Sequence, residues 1–166
     1  MNKLLPNMYV KDVQSINYDK LKNLGIKLLL FDFDNTLISK NTNLDLQDFF
    51  TKLKKDFEII IVSNTLKKNK LHNFCQKLGL KYIHASCKPF KLGFNKIKKH
   101  TNIENEKTCM IGDQLLSDIY GGNKNNYYTI LVDPFENKEL IFTKINRLIE
   151  NKIFKKQGTK RGNYYE

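Results

Sequence analysis

At 166 residues, with 40% hydrophobic and 28% charged side chains, the chain has the size and balance of one globular domain that can bury a core. No apolar run approaches the ~20 residues needed to span a bilayer, and the opening Met1–Pro6 lacks the apolar centre of a secretory signal, so a cytoplasmic location is expected. The net charge of +12 invites an anionic partner, but the only arginines are Arg147 and Arg161, and an AT-rich genome writes Lys, Asn and Ile regardless of function.

In chain order, apolar β-rich runs alternate with amphipathic stretches, the pattern of an α/β fold around a mostly parallel sheet. Residues 1–25 read as an irregular entry plus a helix over 13–24, ended by Gly25. A near-continuous apolar run at 26–33 predicts a strand buried on both faces. Leu46, Phe49, Phe50 and Leu53 are at helical spacing within 44–55. A second strand is expected at 58–62, a helix at 67–78 closed by Gly79, and a short third strand at 81–85. A helix follows Pro89 to about 99, then a fourth strand at 108–111 and a short helix ending at Gly121-Gly122. A fifth strand at 128–132 stops at Asp133-Pro134, and a long amphipathic helix is expected over 138–154. The basic stretch 157–166 reads as a flexible tail of a single domain spanning 1–166.

Cys75, Cys87 and Cys109 show neither metal-ligand spacing nor a disulfide framework, and His72, His84 and His100 stand apart, so zinc is not expected. The polar residues that stand out instead lie where strands end. Asp32 and Asp34 close the first strand, Ser63-Asn64 follow the second, Lys88 the third, and Asp113 the fourth, with Asp118 about one helical turn later. In a doubly wound sheet the carboxyl ends of the strands share one crevice, where ligands bind. Asp32 and Asp34, two apart on a strand, point to one side and repel unless a cation or proton lies between them. Asp113 adds a third carboxylate, and hard oxygen donors in that number suit Mg²⁺. Each remaining cluster has a plain alternative: Asp34-Asn35-Thr36 is good turn chemistry, Ser63-Asn64-Thr65 a good helix cap, and Lys88 one lysine among many. Their convergence is the argument, since no single pair suffices.

Together, Asp32-Phe33-Asp34-Asn35-Thr36-Leu37, Ser63-Asn64, Lys88-Pro89 and Gly112-Asp113 through Asp118 resemble, in order and spacing, the four motifs of the haloacid dehalogenase (HAD) superfamily. Gly25-Ile26-Lys27, Gly121-Gly122-Asn123 and Ile145-Asn146-Arg147 with Glu150 resemble its subfamily IIIA, in the YqeG-type branch related to phosphatidylglycerophosphate phosphatases. The resemblance implies a HAD-like, Rossmann-like doubly wound sheet of about five strands. It implies a magnesium-dependent phosphatase in which Asp32 is the nucleophile and Asp34 the acid and base. Ser63, the Asn64 amide and Lys88 would hold phosphoryl oxygens. Asp32, the Asp34 carbonyl and Asp113 would hold Mg²⁺, and Asp118 would orient Lys88 or the metal's waters.

The intervals from Asp34 to Ser63 and from Ser63 to Lys88 each have room for one crossover helix and no lid, so the site is expected to be capless. An open site suits a phosphate on something large, such as a lipid headgroup. Leu4-Leu5, Met8-Tyr9-Val10 and the basic apolar end of the chain are candidates for peripheral contact with an anionic membrane. A soluble sugar or nucleotide phosphate, a nucleic-acid phosphate end and an inactive phosphate-binding module are the alternatives. Few aromatics are placed to stack bases, which disfavours nucleic acid.

Overall fold

The computed structural model of the chain describes residues 3–38, 46–66, 68–135, 154–155 and 162–165. It contains a six-stranded, all-parallel sheet: β1 (Met8–Val10), β2 (Leu28–Phe31), β3 (Glu58–Val62), β4 (Lys81–Ile83), β5 (Thr108–Gly112) and β6 (Tyr128–Val132), in the order β1-β6-β5-β2-β3-β4. The connecting helices are α1 (Tyr18–Asn23), α2 (Leu46–Leu53), α3 (Lys68–Leu78), α4 (Lys91–Lys98) and α5 (Gly121–Lys124). β2 is central, with Leu28 opposite both Glu58 of β3 and Thr108 of β5. From β2 the chain winds outward to β3 and β4, then returns to the other side of β2 as β5. That reversal is the switch point of the sheet, between the ends of β2 and β5.

Side-chain alternation sorts the apolar strands onto two faces. Leu29, Phe31, Ile59, Ile61 and Ile111 pack with Leu21, Phe50, Leu53, Leu71 and Cys75 from α1, α2 and α3. Leu28, Leu30, Ile60, Val62 and Met110 pack with Phe94 and Ile97 of α4 on the opposite side. Each fully buried side chain of this kind contributes about 1.5–3 kcal/mol. Phe31 is fully buried and edge-on to Phe50 at 5.5 Å between ring centres, and its truncation to Ala should cost about 3–5 kcal/mol.

The sheet has one strand more than the sequence predicts. Met8-Tyr9-Val10 form β1, paired with Ile130, Leu131 and Val132, and all three are buried. They are therefore unavailable for a membrane; their apolarity serves the core. Leu5, by contrast, is 41% exposed. The outer edge of β1 is covered by the end of the chain, where the N–H groups of Tyr9 and Tyr165 donate to each other's carbonyls at 2.8 Å. The tail expected to fray thus returns over 162–165, because an edge strand with unpaired backbone is a costly thing to expose. Tyr164 Oη donates to Asp133 and the Gly162 N–H to Tyr9 Oη, which fix it further.

Two helices also differ from expectation. The helix predicted over 13–24 divides into a 3₁₀ turn, Val13–Ser15, and α1. Asp12 and Asn17 each accept backbone N–H bonds as caps, and such side-chain competition ends one helix and starts another. The helix after β5 does not stop at Gly121-Gly122: a π-helical turn, Leu115–Tyr120, runs on into α5. Gly121 is small for packing, since a Cβ there would lie 2.7 Å from the Phe94 ring. The helix expected over 138–154 lies outside the described residues except Phe154, which is helical and stacks on Tyr9.

No helix among the described residues is long and apolar enough to cross a membrane.

Candidate active site

Asp32 leaves β2 with its main chain still paired to β5, its N–H donating to Ile111. The chain then turns sharply: Leu37 and Ile38 N–H both donate to the Phe33 carbonyl, and Asn35 takes a left-handed φ of 64°. Asn accepts that conformation more readily than most residues. The turn separates two carboxylates close in sequence: Asp32 is 7% exposed, whereas Asp34 stands in solvent at the mouth.

Asp113 follows β5 and is fully buried, with Thr36 Oγ1 at 3.4 Å from its Oδ1. Asp118, also fully buried, sits on the π-helical turn and accepts the Gln114 N–H through Oδ2. Gly112 makes room for it: a Cβ on Gly112 would collide with the Asp118 carboxylate. The sequence suggested a tight exit from the strand, and the reason turns out to be a neighbouring side chain.

Lys88 ties the group together. Its ammonium donates to Asp32 Oδ1 at 2.7 Å and to the Val62 carbonyl at 3.0 Å, and pairs by charge with Asp118 Oδ1 at 2.7 Å. The Lys88 main chain is clamped by the Asn64 side chain, whose Oδ1 accepts the Lys88 N–H at 2.9 Å while Nδ2 donates to the Lys88 carbonyl at 3.0 Å. Ser86 Oγ completes the clamp by donating to the same Asn64 Oδ1 at 2.7 Å. Ala85 and Cys87 adopt positive φ around this loop, and the Lys88-Pro89 peptide is cis. Ser63 Oγ accepts the Thr65 N–H at 3.0 Å and lies 3.4 Å from Asp34 Oδ2.

The electrostatics follow from burial. Desolvation raises the Asp32 carboxyl to about 7, with Lys88 pulling against it and Asp118 adding to it. Burial works against the charge on Lys88 as well, but the Asp118 and Asp32 carboxylates outweigh it, and its pKa is raised overall. Removing one partner from such a buried pair costs about 3–5 kcal/mol, because the other charge is left without compensation.

Asp32, Asp113 and Asp118 each bring one carboxylate oxygen within 4.8 Å of the others. Asp118 Oδ1 has the Lys88 charge beside it but no aligned hydrogen bond. Three buried carboxylates that converge in this way, with an Asp118 oxygen short of a donor, fit a small divalent cation. Asp34 contributes no carboxylate oxygen to this cluster; Asp118 does.

All seven residues singled out from sequence lie at this one end of the sheet. Those not foreseen as parts of it are Thr36 beside Asp113, the Asn64 side chain and Ser86. The chain is 35% identical over 153 residues to the probable phosphatase YqeG of Bacillus subtilis (strain 168), covering 90% of this chain and 88% of that protein.

The chain belongs to the HAD-like hydrolases of the YqeG kind.

A HAD-hydrolase-like family model matches residues 86–134, the segment from Ser86 and Lys88 through Asp118 to the end of β6. A more distant relative is phosphatidylglycerophosphate phosphatase 1, chloroplastic/mitochondrial, of Arabidopsis thaliana, 26% identical over 159 residues; the match takes in 87% of this chain but 46% of that protein. Among solved structures, the HAD-hydrolase YfnB of Bacillus subtilis bound to magnesium superposes with a TM-score of 0.52 at 15% identity, over 70% of this chain and 91% of that one. An uncharacterized protein from Listeria monocytogenes serotype 4b gives 0.54 at 17% identity, over 75% and 97%. These two likenesses establish the HAD-like fold. The chain is a HAD-type phosphatase with a buried Asp triad and, among the described residues, no cap domain over its strand ends.

Proposed function

We propose that the chain hydrolyses phosphate monoesters by transferring the phosphoryl group to Asp32 and then to water. The observation that carries this reading is the Asp32 carboxylate held at a strand end, 2.7 Å from the Lys88 ammonium, beside Asp113 and Asp118. Lys88 opposes the effect of burial on Asp32 and so favours the ionised form that attacks. A P–O bond forms from the Asp32 carboxylate as the bond to the leaving oxygen breaks, and Asp34 gives that oxygen its proton. Asp34 next takes a proton from water, which attacks the aspartyl-phosphate, releases inorganic phosphate and restores Asp32. An acid that must meet both leaving group and water belongs in solvent, where Asp34 is. The Ser63 hydroxyl and Asn64 main-chain N–H hold phosphoryl oxygens during both steps.

Asp32 and Asp113 suit magnesium, with Asp118 close enough to join through a carboxylate oxygen; the Asp34 carbonyl is the further donor that the family resemblance implies. When bound, the ion supplies positive charge against the phosphoryl oxygens. Asp118 also orients Lys88, through the 2.7 Å contact.

The substrate we favour is a phosphate on a large carrier, with phosphatidylglycerophosphate as the specific candidate. Two observations support it: strand ends that carry no cap among the described residues, and the named activity of the Arabidopsis relative. Fold alone does not choose a substrate. A panel of phosphatidylglycerophosphate, sugar phosphates, nucleotides and a 3′-phosphorylated oligonucleotide, each with Mg²⁺, tests the choice. The lipid is expected to give the highest kcat/KM; faster turnover of a soluble phosphate would reject it. No turnover of any member by wild type would mean a phosphate-binding module.

A further inference from the structure

The positive charge of the chain is not evenly spread. Residues 59–103 hold ten lysines and neither Asp nor Glu, so this stretch supplies +10 of the net +12. Elsewhere the remaining 19 basic residues face all 17 acidic ones. A uniform composition bias would mix lysines with acids throughout. The acid-free stretch comprises nearly all of β3, then α3, β4 and α4, which is one flank of the sheet.

At the carboxyl end of that flank, three large apolar side chains stand in water. Leu66 is 87% exposed, Phe90 68% and Leu92 72%. Leu66 is in the loop after β3; Phe90 and Leu92 are in the loop and first turn after β4. The loops are tied together: the Ser86 N–H donates to the Ser63 carbonyl at 2.9 Å, the Ala85 N–H to that of Thr65, and Asn64 clamps Lys88. The three apolar residues therefore share one rim, next to Ser63 and Lys88. Lys68 and Lys70, exposed in the first turn of α3, flank it.

We propose that this rim is a docking surface for an anionic lipid bilayer, with Leu66, Phe90 and Leu92 entering the headgroup region and Lys68 and Lys70 meeting lipid phosphates. Exposed apolar groups beside one-signed charge match a surface that is apolar beneath and anionic above. A nucleic acid would favour Arg forks and stacked aromatics, whereas this flank has only Lys and one exposed Phe. Docking on this rim turns the open site toward the bilayer, so a headgroup phosphate reaches Asp32 without leaving the surface. That consequence rests on the phosphatase reading; the docking itself does not.

The test is co-sedimentation of the full chain with phosphatidylcholine vesicles, with and without phosphatidylglycerol, alongside turnover of a soluble chromogenic phosphomonoester. Binding is expected only to the anionic vesicles, and to weaken with salt. Phe90→Ser with Leu92→Ser should lower partitioning about tenfold, and Lys68→Gln and Lys70→Gln about fivefold each. Chromogenic turnover should be unchanged in all of them. If wild type binds vesicles as expected but turns over no ester, the docking stands and the phosphatase reading falls. Absence of binding to anionic vesicles overturns the proposal, as does binding that survives the Phe90 and Leu92 changes. So does self-association that those changes abolish with no vesicle binding, which would assign the rim to a second copy. Displacement from vesicles by a single-stranded oligonucleotide would overturn it too, in favour of nucleic acid.

Discussion

The floor and the rim of the site are built on opposite terms. On the floor, Asp32, Asp113, Asp118 and Lys88 are at most 7% exposed, and their contacts are short and charged. At the rim, Asp34, Asn64, Leu66 and Phe90 face water. Burial makes each floor charge costly alone and strong in company. Exposure leaves the rim free to meet solvent, leaving group and carrier. The chemistry is therefore fixed at the floor, and the choice of substrate is left to the rim.

The largest test of that division is Asp32→Asn. It should lower kcat by about 10⁴-fold or more, since the attacking oxygen is lost. Asp34→Asn should lower kcat by about 10²–10⁴-fold yet leave stability within about 0.5 kcal/mol, as an exposed side chain should. Urea melts of the variants check the second half; a large loss of stability in Asp34→Asn would erase the contrast between floor and rim. Lys88→Met should destabilise the fold by about 3–5 kcal/mol, because it strands Asp32 and Asp118 together in a buried site. A loss below about 1 kcal/mol in the same melts would mean that the floor is wetter than its geometry implies.

A pH series sharpens the same point in the metal-free protein. The Asp32 carboxyl is raised from 3.8 to about 7, so the folded chain keeps a proton that the unfolded chain gives up. Stability from this group is therefore present below pH 4 and is lost as pH rises toward 7. Chemical denaturation from pH 4 to 8 with a chelator present should show the decline, and Asp32→Asn should flatten it. Smallest of all, Thr36→Val should cost about 1 kcal/mol, since the 3.4 Å contact to Asp113 is long; thermal melts suffice to read it.

Much of this arrangement was legible in the chain. β2, β3, β5 and β6 announce themselves as apolar runs, because a strand buried on both faces has no polar side to show. β1 did not: three apolar residues near a terminus carry no period, and only β6 and Tyr165 make them a strand. Gly121-Gly122 read as a stop, because the side chains that need their smallness, Phe94 against Gly121 and Thr129 against Gly122, are not visible in the local sequence. At the site, Asp32, Asp34, Asp113 and Asp118 follow from their places after strands. Lys88 is indistinguishable by itself among so many lysines. The Asn64 clamp joins residues 24 positions apart, and such a hydrogen bond leaves no periodic trace. The helix expected over 138–154 falls, up to residue 153, outside the described part of the chain.

The most direct test is to quench the wild-type protein with acid during turnover of a phosphomonoester with Mg²⁺, then to map phosphate by mass spectrometry. The account predicts one phosphoryl group, on Asp32, and none in Asp32→Asn. Steady turnover by Asp32→Asn, or an adduct on another residue of a competent enzyme, would contradict it.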